Sequence, residues 1–220
     1  MPFQSSDSLV RLFKLCARAA GFVVTLLGIA VLVAWALGAD AVYSVLHGLF
    51  SVQVNTALGF VFSGVSLGLI AANPGPGRKR SIARIAAVAA LLIGLLSLSE
   101  SWLHWNLHID ELLFKDTSGN PFPGRMVPAT ALRFLLVGLA LLATDIETRG
   151  KRRPTEWLAL IVAAISMLAL VGYVYGVRSI YGIPGAMKLS WETALGFMVL
   201  AVGLLLSRPE AGFIDRKSVV

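Results

Sequence analysis

Six stretches of this chain are each apolar enough, over enough residues, to cross a lipid bilayer, and this governs what the chain can become. They run over roughly 20–37, 55–72, 82–99, 129–144, 156–175 and 191–207, with interiors of Leu, Ala, Val and Ile. A hydrocarbon core about 30 Å thick needs about 20 residues at about 1.5 Å each. In lipid every backbone amide must find its partner inside the protein, which leaves helices and closed barrels. A barrel strand alternates in polarity over about ten residues, and these runs do not alternate. Only 14% of the residues are charged, against about 25% for a soluble domain, so most of the surface must face something other than water. The sequence therefore predicts an all-α integral membrane protein of about six transmembrane helices, with the lipid bilayer as its first partner.

The distribution of positive charge sets an orientation. Arg11, Lys14 and Arg18 precede the first run, Arg78, Lys79, Arg80 and Arg84 the third, and Arg149, Lys151, Arg152 and Arg153 the fifth. Arg208, Arg216 and Lys217 follow the last, so 14 of the 19 basic residues fall on one side and Lys115, Arg125, Arg133, Arg178 and Lys188 on the other. The positive-inside rule puts the richer side, with both termini, in the cytoplasm. It also assigns the isoelectric point near 10.0 to orientation and lipid headgroups rather than to nucleic acid. Cys16 is the single cysteine, which excludes an intrachain disulfide and a cysteine metal site. Ala34-Trp35-Ala36 imitates a signal-peptidase site, but the stretch is long enough to span and further apolar chain follows, so it reads as the first span.

The runs are related. Asn55-Thr56-Ala57-Leu58-Gly59-Phe60 recurs as Ala129-Thr130-Ala131-Leu132-Arg133-Phe134 and as Glu192-Thr193-Ala194-Leu195-Gly196-Phe197, each opening an apolar helix that follows an outgoing one. Such recurrence signals an internal repeat, here three repeated helical hairpins. The expected organisation is a cytoplasmic amphipathic lead-in over 1–19, hairpins over 20–75, 76–148 and 149–207, and a cytoplasmic tail over 208–220. The longest outer loop, about 100–128, falls in the second hairpin. Thr56, Phe60 and Gly64 share one helical stripe, as do Thr130, Phe134 and Gly138, with Thr193 and Phe197 in the third copy. Thr at a helix start can satisfy free amides, Phe supplies contact area and Gly admits a neighbouring backbone. The stripe is thus expected to pack repeat against repeat.

At this point the chain resembles a known group. Gly124-Arg125-Met126-Val127-Pro128-Ala129-Thr130-Ala131-Leu132-Arg133-Phe134-Leu135-Leu136 is similar to a motif of the membrane-spanning N-terminal sensor regions of bacterial PAS-containing histidine kinases. Ile109-Asp110-Glu111-Leu112-Leu113-Phe114, Gly172-Tyr173-Val174-Tyr175-Gly176-Val177 and Leu204-Leu205-Leu206-Ser207-Arg208-Pro209 resemble the same regions, and the likeness extends from about residue 22 to 212. The resemblance implies a signal-input module of a two-component system in the bacterial inner membrane. It implies cytoplasmic PAS and kinase domains in cis beyond the tail, and a homodimer. The chain departs from the pattern at His104 and His108, where the family favours glycine, at Asn106, where it favours an acid, and at Arg133 and Glu192.

No motif here is catalytic, and no cofactor is expected. Ser99, His104 and Asp110 can be assembled on paper into a triad, but no nucleophile motif supports them. His104 and His108, one turn apart with Glu100 one turn before, are weak metal candidates, since neither a HExxH signature nor a Cys accompanies them. They read instead as polar interfacial residues. Trp35, Trp102, Trp105, Tyr173, Tyr175, Tyr181 and Trp191 gather near the outer ends of the spans. A headgroup-level aromatic belt accounts for them, and the sharper alternative is a pocket for an apolar or aromatic signal molecule. Arg133 and Glu192 each fall in the first turns of a motif helix, at matching depth just inside the outer interface, where they either form an ion pair between the second and third hairpins or reach the headgroups independently. A stand-alone transporter or structural membrane protein is the competing class, weakened by the lack of charge at mid-depth in the spans.

Overall fold

The computed structural model describes residues 3–37, 52–72, 75–103, 124–146, 153–176 and 190–208. Six α-helices make up these residues: α1 (Phe3–Leu37), α2 (Val54–Ala71), α3 (Arg78–Leu103), α4 (Pro128–Leu142), α5 (Pro154–Val174) and α6 (Trp191–Leu206), with one 3-10 turn, Ala143–Asp145, closing α4. Five spans are long and apolar enough to cross a membrane, one each from α1, α2, α3, α4 with its 3-10 turn, and α5. The sixth, α6, has 16 residues and rises about 24 Å, short of a full hydrocarbon core. The chain is a multi-pass helical membrane protein.

Local chemistry fixes the helix ends. Pro128 and Pro154 occupy the first turns of α4 and α5, where a missing N–H costs nothing. Gly176 takes a left-handed φ of 65° after α5, and its N–H donates back to the Tyr173 carbonyl at 3.2 Å, a helix stop suited to glycine. The motif threonines were expected to cap their helices. They stand three positions past the N-cap, too far in for that. Thr56, Thr130 and Thr193 are each the third residue of their helix. Of these three helices only α6 has a side-chain cap, Ser190, whose Oγ accepts the Thr193 N–H at 3.3 Å.

The even-numbered helices form the centre. α2, α4 and α6 touch one another, while α1 lies against α2 and α6, α3 against α4 and α2, and α5 against α6 and α4. About 61% and 50% of the α2 and α4 spans are buried, against 28%, 33% and 28% for α1, α3 and α5, so the outer helices carry the lipid-facing surface. Phe22 and Ile85 stand 64% and 69% exposed there.

The core centres on Phe60, Phe134 and Phe197, all fully buried. Their ring centroids lie 5.3, 5.1 and 4.6 Å apart, so each motif phenylalanine touches both others in tilted, edge-on contacts that aromatic quadrupoles favour. The motif glycines do something else. A Cβ at Gly64 would lie 2.5 Å from the Gly21 carbonyl of α1, and one at Gly138 would lie 2.6 Å from the Leu91 side chain of α3. Phenylalanine therefore joins one helix pair to the next, and glycine joins α2 to α1 and α4 to α3. The stripe does not serve repeat-to-repeat packing along its whole length, because successive turns of a central helix meet different neighbours.

The outer helices share a register that no sequence motif announced. Buried positions run Ala17, Gly21, Val24, Gly28, Val31, Ala34 in α1, and the same steps of 4, 3, 4, 3 and 3 residues recur from Ala83 in α3, where Ala86 is buried as well, and from Thr155 in α5. At the fourth position, a Cβ on Gly28 would meet the Ala57 carbonyl at 2.6 Å, and one on Gly94 the Ala131 carbonyl at 2.7 Å. The third such position is Ser166. Neighbouring pairs are also stitched alike: Ser66 Oγ in α2 donates to the Ala83 carbonyl of α3 at 2.9 Å, and Thr155 Oγ1 of α5 donates to the Ala140 carbonyl of α4 at 3.0 Å.

Candidate functional site

At the aromatic end, the expected pocket residues are not enclosed. Trp102, Tyr173, Tyr175 and Trp191 are 73%, 50%, 76% and 46% exposed. Trp35 packs with Val31, Val52 and Ala57, and its Nε1–H donates to the Val52 carbonyl at 3.0 Å, which ties the end of α1 to the residues that lead into α2. Trp105, Tyr181, His104, His108 and Asp110 lie outside the described residues. Among the described residues no group of three His, Cys, Asp or Glu side chains could hold a metal ion.

Arg133 is the largest fully buried side chain among the described residues. The motif position before each phenylalanine faces the next helix pair: a Cβ on Gly59 would meet the Phe134 ring at 2.5 Å, and one on Gly196 the Phe60 ring at 2.7 Å and Leu27 at 3.3 Å. Arg133 follows the same rule. Its guanidinium lies 5.6 Å from the centroid of Phe197, and Nη2 donates to the Ile165 carbonyl of α5 at 3.2 Å, while Nε and Nη1 have no acceptor. Ile165 is near the middle of α5, so the charge sits well inside the bundle, deeper than the outer interface where the sequence placed it.

The Arg133–Glu192 ion pair does not form. Glu192, four residues before Gly196, shares the side of α6 that faces Phe60 and Leu27, whereas Arg133 approaches Phe197 from the α4 and α5 side. Matching depth was not enough. Glu192 Oε2 is buried without a hydrogen-bond partner.

At the opposite, basic end the charges converge. Asp145, the last residue of the turn closing α4, binds Arg80 through Oδ2 and Arg208 through Oδ1, and Arg84 stands 3.6 Å from Oδ2. Arg80 and Arg84 come from the first two turns of α3, and Arg208 lies just after α6, so one carboxylate ties three helix ends together. Ile70, Ala83, Leu141, Leu142 and Thr144 line a solvent-open cleft beside these charges, and a second cleft continues past Thr144 and Arg208 to Arg153 and Ser207. Sequence reading missed this centre. The available signal was Asp145 itself, a carboxylate at a helix C-terminus, where the helix dipole disfavours it and a cationic partner is needed.

No family model matches the chain, and no curated protein or solved structure is significantly similar to it.

Proposed function

We propose that the chain is the membrane-embedded signal-input module of a bacterial histidine kinase or related PAS signalling protein. In this reading it has six spans, cytoplasmic termini and output domains in cis beyond α6, and it acts as a homodimer. The carrying observation is Asp145, which clamps Arg208, where the chain leaves α6, to Arg80 in the first turn of α3. A rearrangement among the helices would therefore shift the segment that follows the last one. The reading of three copies of one hairpin about a pseudo-threefold axis is supported by the shared steps of the outer helices and by the mutual contact of Phe60, Phe134 and Phe197. The test is a fusion of the chain to a kinase reporter, reconstituted in vesicles and assayed for autophosphorylation. Asp145→Asn should alter the basal output relative to the native fusion. Equal output from both would sink the clamp as a coupling element.

Transport is the second reading, and Arg133 favours it. A guanidinium at mid-depth with two nitrogens lacking acceptors is the kind of group that marks a substrate path. Uptake of an anion by reconstituted vesicles, abolished in Arg133→Gln, would establish transport in place of signalling.

A further inference from the structure

We infer that the cleft between the basic ends of α3, α4 and α6 binds a phosphate group, presented by an anionic phospholipid or free in the cytoplasm. Binding stands on the geometry of the cleft alone, while any consequence for output rests on the signal-input reading.

The charges do not balance. Three guanidinium groups, from Arg80, Arg84 and Arg208, share the single carboxylate of Asp145. Both of its oxygens are already engaged, Oδ2 by Arg80 and Oδ1 by Arg208. Arg208 Nε is buried with no acceptor. Arg84 is held loosely at 3.6 Å with 63% of its side chain exposed, free to swing onto an incoming anion. Guanidinium forks bind phosphate oxygens in pairs of parallel hydrogen bonds, so a phosphate would supply the acceptors that Asp145 cannot.

Asp145 has a second effect. By holding Arg80 and Arg208 from either side it fixes two of the three donors before any ligand arrives, which reduces the ordering that binding must impose. It also leaves two positive charges among these four side chains unbalanced, which favours an incoming anion.

The setting is that of a lipid headgroup. The cleft is lined by apolar Ile70, Leu141 and Leu142 beside the arginines. Next to Arg84 on α3, Ile82 and Ile85 are 43% and 69% exposed on the lipid-facing side. A phosphate at the rim with acyl chains along α3 matches this sequence of polar edge and apolar wall.

The experiment uses the purified full chain in phosphatidylcholine vesicles, with phosphatidylglycerol or inorganic phosphate added, and reads the thermal midpoint. Phosphatidylglycerol should raise the midpoint in a saturable way. Arg84→Gln should weaken the apparent affinity about tenfold, the loss of one charge-assisted hydrogen bond. Because Arg84 is exposed and loosely paired, this variant should fold. Arg78→Gln removes the same charge from the exposed start of α3, outside the cleft, and should leave the affinity unchanged. A shift with inorganic phosphate alone supports the site with free phosphate as its ligand, and a shift only with phosphatidylglycerol supports it with lipid. No shift with either probe overturns the inference, as does an equal loss in Arg78→Gln and Arg84→Gln, which would mean diffuse surface charge.

Discussion

Truncating Phe134 to alanine should test whether the bundle is held together at its centre. The ring is fully buried, with centroids 4.6 Å from Phe197 and 5.3 Å from Phe60, and it fills the space left by Gly59. Burying and then deleting a phenylalanine in a packed core costs about 3–5 kcal/mol. In a membrane the transfer part of that cost shrinks, because the unpacked ring faces lipid rather than water, while the lost packing remains. The expected loss is therefore near the lower limit, about 3 kcal/mol, of which the two aromatic pairs contribute about 0.5–1.5 kcal/mol each. Phe22→Ala makes the same chemical change on the lipid-facing side of α1, where the ring is 64% exposed, and should stay within about 0.5 kcal/mol of the native protein. Denaturant titration in detergent micelles, followed by tryptophan fluorescence, compares the two. Equal losses would refute the idea that the three rings are the keystone. Strictly additive losses in Phe134→Ala combined with Phe197→Ala would do the same, since residues in contact couple by about 0.5–3 kcal/mol.

Other expectations follow from particular contacts. Gly94→Ala would place a Cβ 2.5 Å from Leu135 N and 2.7 Å from the Ala131 carbonyl, forcing α3 and α4 apart at about 1–3 kcal/mol. Gly68→Ala, with nothing within 4 Å of its Cβ, should be neutral or stabilise by up to about 1 kcal/mol; thermal unfolding of both variants gives the comparison. Arg133→Met and Glu192→Gln should be additive within about 0.5 kcal/mol, because Arg133 meets Ile165 and Phe197 while Glu192 Oε2 has no hydrogen-bond partner, and a coupling well above that in a double-mutant cycle would restore the ion pair. In a Cys16→Ser background, needed because Cys16 is exposed, Lys79→Cys should react with an impermeant thiol reagent only from the cytoplasm and Tyr175→Cys only from outside. The reverse labelling would invert the proposed orientation.

Much of the architecture was legible because bilayers impose one rule at every residue. Apolar runs of spanning length must be helices, and the described runs are. The Thr-Ala-Leu-x-Phe recurrence also named the three residues that meet at the centre. What it could not convey was rotation. Thr56, Phe60 and Gly64 lie on one stripe, yet Phe60 contacts Phe134 and Phe197 while Gly64 faces Gly21 and Thr25 of α1. The register of α1, α3 and α5 was hidden for another reason. Its positions are filled by different small residues, Gly28, Gly94 and Ser166 among them, and only their size is retained.

The charged groups divide in the same way. Sequence alone determined that this is a helical membrane protein with basic residues gathered about the starts of the first, third and fifth apolar runs and after the last, because hydrophobic length and charge position are properties of the chain read in order. It also flagged Arg133 and Glu192 as unusual in their helices. Tertiary structure alone decided what those groups meet. Arg133 turns to Ile165 and Phe197 rather than to Glu192, and Asp145 gathers Arg80 and Arg208 from positions 65 residues before it and 63 after it. An ion pair in a bundle depends on which sides of two helices face each other, and that angle is set by packing around the whole ring, not by the residues that carry the charge.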